Sequence, residues 1–190
     1  MSIKEIYTDL PTLTTDRLKL RKITEEDAED MFYYASDEEV SRYVTWDTHP
    51  SLKETKAFID HILIKYENNE LAPWGIVLKE TNKLIGTIDF VTWKPAHRVA
   101  EIGYALSRKY WGDGIMTEAM KAVVKFGFQS MDLIRIEAKC FDSNRGSARV
   151  MEKVGMRYEG MMRQAMIVKG EPRNILLYAI LKDDNNEWLR

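Results

Sequence analysis

The chain has a single cysteine, Cys140, among its 190 residues. No intramolecular disulfide can staple it, and a reducing, cytoplasmic setting is expected. No apolar run approaches the length of about eighteen residues that a membrane-crossing helix needs. The opening MSIKEIYTDLPTL lacks the apolar stretch of a secretory signal, so no membrane association is expected. Charge of one sign is also scarce: 28 Lys and Arg face 30 Asp and Glu, a net charge of −2. That balance argues against a general nucleic-acid binder, which carries a basic excess or stripe. Three histidines, His49, His61 and His97, are scattered without metal-ligand spacing, so no metal is expected.

Glycine is sparse too, with 10 in the chain, yet two stand one residue apart in Arg108-Lys-Tyr-Trp-Gly-Asp-Gly-Ile-Met-Thr-Glu118. They follow an alternating apolar run and open an amphipathic helix. Gly112 and Gly114 let backbone N–H groups approach an anion closely. The helix starting near Ile115 adds unpaired donors and the positive end of its dipole. The nucleoside-triphosphate loop is missing, because Gly-Lys does not precede Thr117. The dinucleotide fingerprint is missing as well, because position 117 would have to be glycine. A nucleotide-binding protein is therefore disfavoured.

Periodicity sets out a single domain over 15–190, preceded by an arm over 1–14. Residues 17–23 alternate as a strand, and Thr24 to Asp27 opens a helix whose stripe is Ala28, Met31, Phe32 and Ala35. Residues 36–50 read as irregular and acidic-aromatic. Ser51 to Glu54 opens a second helix with Phe58, Ile59, Ile62, Leu63 and Tyr66 on one face. Strands follow at 74–79, 84–91 and 99–106, then a helix at 115–129. Ile134, Ile136, Ala138 and Cys140 alternate with charged residues in a further strand, and 144–154 is a helix stopped by Gly155. A hairpin over 157–168 and 173–181 closes the order β-α-α-β-β-β-α-β-α-β-β. That order predicts an α/β (α+β) fold with a mixed, mostly antiparallel sheet of six to seven strands and helices on both faces.

With this order, four linked segments resemble the GNAT superfamily of acetyl-CoA-dependent N-acetyltransferases, in the branch that acetylates ribosomal-protein N-termini. They are Glu101-Ile-Gly-Tyr-Ala-Leu106, Tyr110-Trp-Gly-Asp-Gly-Ile-Met-Thr-Glu-Ala119, Asn144-Arg-Gly-Ser-Ala-Arg-Val-Met-Glu-Lys-Val-Gly-Met156 with Glu159-Gly160, and Leu177-Tyr-Ala-Ile-Leu-Lys182 with Trp188. The likeness spans about 15–188. It implies that acetyl-CoA is the co-substrate and that the amides of Lys109, Tyr110, Trp111, Gly112, Asp113 and Gly114, with Ile115, hold its pyrophosphate. Tyr104, Ala105 and Leu106 would pair with the pantetheine arm, and Asn144 and Ser147 would line it. Lys109 stands where the family carries Gln or Arg, which keeps the charge and loses the planar fork. Asn174 stands where related chains often carry Asp.

Acetyl transfer to an amine needs a proton acceptor for the amine and a proton donor for the departing thiolate. Glu101, one short strand before the glycine loop, is the preferred base, and Asp89, which interrupts an apolar run, is its competitor. Ser147 and Tyr104 are the candidate acids. Cys140 completes an apolar strand face and reads as a buried thiol rather than a nucleophile. Trp46 is a candidate rim residue, and Asp37, Glu38, Glu39 and Asp47 could steer a cationic acceptor. The acceptor implied by the resemblance is a ribosomal-protein α-amine. The alternatives are a small amine such as an aminoglycoside or polyamine, or a non-catalytic acyl-CoA-binding module. The expected state is a monomer or a homodimer.

Overall fold

The computed structural model describes residues 2–184, so Trp188 lies outside the described residues. Eight strands form one sheet: β1 (Leu13–Thr14), β2 (Leu18–Arg21), β3 (Trp74–Leu78), β4 (Lys83–Lys94), β5 (Val99–Leu106), β6 (Arg135–Phe141), β7 (Arg157–Val168) and β8 (Glu171–Leu181). Their spatial order is β1-β2-β3-β4-β5-β6-β8-β7. All neighbours are antiparallel except β5 and β6. The strand beyond the expected six or seven is the two-residue β1, too short to show a period.

Among the described residues six α-helices accompany the sheet: α1 (Ile3–Tyr7), α2 (Ala28–Ala35), α3 (Glu38–Ser41), α4 (Leu52–Glu67), α5 (Ile115–Ser130) and α6 (Arg145–Val154). The alternation of β4 assigns its two faces. Phe90 and Trp74 turn towards α5, where Trp74 meets Phe126 edge-on at 5.6 Å between ring centroids. Close packing on that side needs Gly127, since a Cβ there would come within 2.8 Å of Ile136. Thr87 and Asp89 turn to the opposite face, where the Tyr34 hydroxyl of α2 bonds Thr87 and α4 brings Tyr66 and Lys65 near Asp89.

Local chemistry sets the helix starts. Ser51 accepts a bond from the Lys53 amide, and the Asp27 carboxylate accepts the Thr24 amide at 2.8 Å while pairing with Arg21. Gly155 ends α6 in the left-handed region at φ 95°. Residues 2–14, set apart as an arm by their sequence, are packed onto the domain. Tyr7 is wholly buried, and the carbonyl of Pro11 accepts the Trp74 indole N–H at 2.7 Å.

Candidate active site

The site originates in a fork in the sheet. Parallel pairing of β5 with β6 runs only from Val99↔Arg135 to Ile102↔Ala138. Beyond that point β5 follows β4 as far as Leu106, while β6 follows β8 as far as Phe141. The edge of β5 from Gly103 to Leu106 therefore faces a gap, leaving backbone groups available to a ligand that pairs as a strand. On the other side of β5 the ladder is bulged in β4 between Phe90 and Thr92. A Cβ at Gly103 would lie 2.6 Å from the Val91 side chain, so any larger residue at the fork would have to displace Val91.

A pocket of about 760 Å³ fills the gap. It is large enough for an extended, drug-sized ligand. Of the residues expected at the cofactor, Tyr104, Ala105, Leu106, Tyr110, Trp111, Gly112, Gly114, Ile115, Asn144 and Ser147 all line it. Lys109 and Asp113 belong to the same loop without lining the pocket. The Lys109 ammonium sits over the Tyr110 ring at 5.5 Å, and the Asp113 carbonyl accepts a bond from Arg17 at 3.0 Å. Gly112 has φ 89° with open space where a Cβ would stand, and Gly114 caps α5 at φ 76°. Both angles favour glycine. The loop thus presents bare amides at the start of a sixteen-residue helix, which suits a pyrophosphate.

The loop is braced by a residue that the sequence reading missed. Arg17 places Nε 2.6 Å from Glu118 in the first turn of α5, while its Nη1 holds the Asp113 carbonyl. Burial alone would raise the Glu118 pKa, but bonds from Thr15 and Arg17 hold it below the ordinary carboxylate value. Arg17 and Glu118 are 101 residues apart, so no local pattern could reveal the pairing.

Across the pocket, the Tyr104 hydroxyl lies 2.7 Å from Ser147 Oγ. Asn144 caps α6, its side-chain oxygen accepting the Ser147 amide at 3.0 Å. Burial pushes the Tyr104 phenol well above its usual range, against a smaller opposing effect of Ser147. Cys140 also lines the pocket beside Ser147, and burial pushes its thiol up to about 11. A thiol held protonated in this way is a poor nucleophile.

The two candidate bases have different surroundings. Glu101 does not line the pocket, and its Oε2 lies 2.6 Å from the ammonium of Lys139. Asp89 stands opposite Gly103 in the β4–β5 ladder, and its Oδ1 is 3.6 Å from where a Gly103 Cβ would be. Burial pushes the Asp89 carboxyl up to about 7, against a smaller lowering by Lys65.

The segment over 37–48 forms part of the pocket wall through Val40, Tyr43 and Val44. It is tied down by Lys169 in the β7–β8 turn, which donates to the Ser41 carbonyl at 2.7 Å, and by Arg108, 3.8 Å from Asp37. Trp46 packs with His49 at 5.5 Å rather than lining the pocket. Among the described residues no cluster of His, Cys, Asp or Glu has the makings of a metal site, and no helix is long and apolar enough to cross a membrane.

The family model described as an acetyltransferase (GNAT) domain matches residues 17–157. The uncharacterized N-acetyltransferase YoaA of Bacillus subtilis is 38% identical over 172 residues, covering 90% of this chain and 97% of that protein. A ribosomal-protein-serine acetyltransferase of Escherichia coli is 34% identical over 108 residues, covering 57% of this chain and 60% of that protein. Among solved structures, a GNAT-family acetyltransferase from Bacillus anthracis superposes with a TM-score of 0.80 at 32% identity, covering 90% of this chain and 98% of the other. A forked strand pair, a glycine loop opening a helix and these matches have one reading: the chain belongs to the GNAT family of acetyl-CoA-dependent N-acetyltransferases.

Proposed function

We propose that this enzyme acetylates the N-terminal α-amine of a protein, with a ribosomal protein as the leading acceptor class. The observation that carries this reading is the acidic segment at the pocket. Asp37, Glu38, Glu39 and Asp47 share one stretch with the pocket-lining Val40, Tyr43 and Val44. Arg108 faces Asp37 and Arg42 faces Glu39, which leaves Glu38 and Asp47 as the carboxylates of this stretch that can attract a cationic chain end beside the pocket. An α-amine has a pKa of about 8 against about 10.4 for a lysine side chain. More of it is neutral and reactive at physiological pH. The likeness to the ribosomal-protein-serine acetyltransferase of Escherichia coli supports the same acceptor class.

In the proposed reaction the neutral amine attacks the thioester carbonyl, a C–N bond forms and the C–S bond breaks. Ser147, backed by the Tyr104 hydroxyl, supplies the proton that the thiolate takes up. Asp89, reached through a water beside the side-chain-free Gly103, takes the proton that the amine gives up. Asp89 is favoured over Glu101 because Glu101 is already engaged by Lys139. A carboxyl that titrates near neutrality also suits a base working near neutral pH.

Thiol release from acetyl-CoA, followed across peptides with free and blocked N-termini, polyamines and aminoglycosides, tests the acceptor. Turnover confined to peptides with a free α-amine is expected. A small amine that outperforms every peptide by kcat/KM would replace this reading.

A further inference from the structure

The fork in the sheet places an amine of the chain's own beside the reacting centre. Parallel pairing ends with Glu101 opposite Glu137 and Ile102 opposite Ala138. Gly103 and Lys139 are therefore the first residues past the split, one on each arm. Side chains alternate along a strand, so Lys139 projects from the same face as Glu137, Glu101 and Gly103. Asp89, opposite Gly103 in the neighbouring ladder, shares that face. Tyr104 and Cys140 project from the other face, where Ser147 meets the Tyr104 hydroxyl. With the thioester sulfur towards Ser147 and the incoming amine on the side of Gly103 and Asp89, Lys139 stands on the attacking side.

Lys139 lines the pocket, and Gly103 across the split has no side chain to screen it. Its ammonium is held 2.6 Å from Glu101 Oε2, and its side chain is 32% exposed. A protonated amine has no lone pair with which to attack a carbonyl. The Glu101 carboxylate, in direct contact with the ammonium, is a proton acceptor that needs no bridging water. The flexible lysine stem can then turn Nζ from Glu101 towards the split. The pocket lining holds a second lysine, Lys153. It follows Ser147 by six residues on α6, about 9 Å of helix rise away from the split.

We propose that Lys139 is an internal acetyl acceptor, modified by bound acetyl-CoA when no foreign amine occupies the site. Glu101 takes one proton from the Lys139 ammonium, and the neutral Nζ attacks the thioester carbonyl. A C–N bond forms and the C–S bond breaks. The second proton on nitrogen is released as the amide forms, one proton passes to the departing thiolate, and CoA leaves as the thiol. Glu101 returns its proton to solvent. Acetylation cancels the charge of Lys139 and ends its ion pair with Glu101. The inference rests on the thioester placement in the reaction proposed above, and not on the class of foreign acceptor.

The test is incubation of the whole chain with acetyl-CoA carrying an isotope-labelled acetyl group and no added amine, followed by mass spectrometry of its peptides. Lys139 should take up label at least about tenfold faster than Lys153 or than Lys56, which is exposed on α4, because only Lys139 is held beside the thioester. Excess CoA should remove the label from Lys139 and leave that on Lys56. In Lys139→Arg, which keeps a cation beside Glu101, the CoA-sensitive label should vanish from the whole chain. Label on Lys139 that is no faster than on Lys56, or that CoA leaves unchanged, overturns the proposal. So does CoA-sensitive label that survives in Lys139→Arg. Thiol release with free α-amine peptides, measured on the same sample, separates this inference from the acceptor reading. Peptides acetylated while Lys139 stays unlabelled in their absence overturn the inference alone. Label on Lys139 with no peptide acetylated supports the inference and removes the acceptor class.

Discussion

The hydroxyl of Tyr104 on β5 lies 2.7 Å from Ser147 Oγ in the first turn of α6. This contact joins the two sides of the forked pocket and gives Ser147 a hydrogen-bonding neighbour that can orient its hydroxyl. Burial keeps the Tyr104 phenol protonated, so the neutral phenol can hold Ser147 Oγ by a hydrogen bond while Ser147 faces the sulfur. Ser147→Ala should therefore lower kcat by on the order of 10- to 100-fold with a smaller rise in the KM for acetyl-CoA. Tyr104→Phe should give a weaker defect of the same kind. The double variant should be little worse than Ser147→Ala, because the two residues act as one unit. Steady-state kinetics of the three variants check this, and a pure KM effect for Ser147→Ala would make it a binding residue.

Gly112 tests the loop without disturbing the core. A Cβ there meets nothing within 4 Å, but φ is 89°. Gly112→Val should cost about 1–2 kcal/mol of backbone strain, read as a modest fall in melting temperature. Its larger effect should be on CoA, with at least a tenfold loss of affinity by calorimetry, because the side chain occupies space that the phosphate approaches. Unchanged affinity would remove the pyrophosphate from this loop.

Arg17 should matter to the cofactor although it lies outside the pocket lining. Arg17→Ala frees the Asp113 carbonyl and leaves Glu118 without its ion pair. We expect a several-fold loss of CoA affinity with kcat on saturating substrate nearly unchanged. The pairing also has a pH signature. The folded pKa of Glu118 lies below its unfolded value of 4.5, so its stabilisation is present above that pH and is lost as pH falls through the folded value. The melting-temperature gap between parent and Arg17→Ala should therefore be open at neutral pH and narrow in acid.

These residues also mark what the sequence made legible. The alternation of Arg135, Glu137 and Lys139 with Ile136, Ala138 and Cys140 predicts β6 to within a residue, since period two is a local property. Gly112 and Gly114 are legible because positive φ demands them, and Gly155 as a helix stop for the same reason. The ion pair of Glu101 with Lys139 was not legible. It depends on the parallel register of β5 against β6, set by packing between segments 38 residues apart in sequence. The Arg17 brace and the burial of Tyr7 were hidden for the same reason. The lining residues Val40, Tyr43 and Val44 sit in a stretch with only a four-residue helix, which gives periodicity too little length to register. Cys140 read correctly as buried, but its place in the pocket follows from the fork, which no single strand encodes.

Asp89 is the residue whose role the pH dependence can decide. Burial raises its carboxyl pKa from the ordinary 3.8 to about 7, with Tyr7, Tyr66 and Lys65 around it and Gly103 on the pocket side. A raised folded pKa means that the folded chain binds the proton more tightly than the unfolded chain. Stability should thus fall as pH rises from about 4 to about 7 and level off above. Asp89→Asn removes that penalty, so the variant should melt higher than the parent at pH 8 and alike near pH 4. For catalysis the sign is opposite. The ionised form accepts the proton, so the parent's kcat should rise with pH through an apparent pKa near 7, and Asp89→Asn should cut kcat by on the order of 10²–10⁴-fold with that rising limb gone. Glu101→Gln, which only releases Lys139, should leave the limb in place with a smaller loss. A variant more stable in alkali and much less active would mark Asp89 as a group kept at a cost to the fold for its chemistry. If Glu101→Gln abolishes the limb and Asp89→Asn does not, the proton goes to Glu101 and the Lys139 pair must open during turnover.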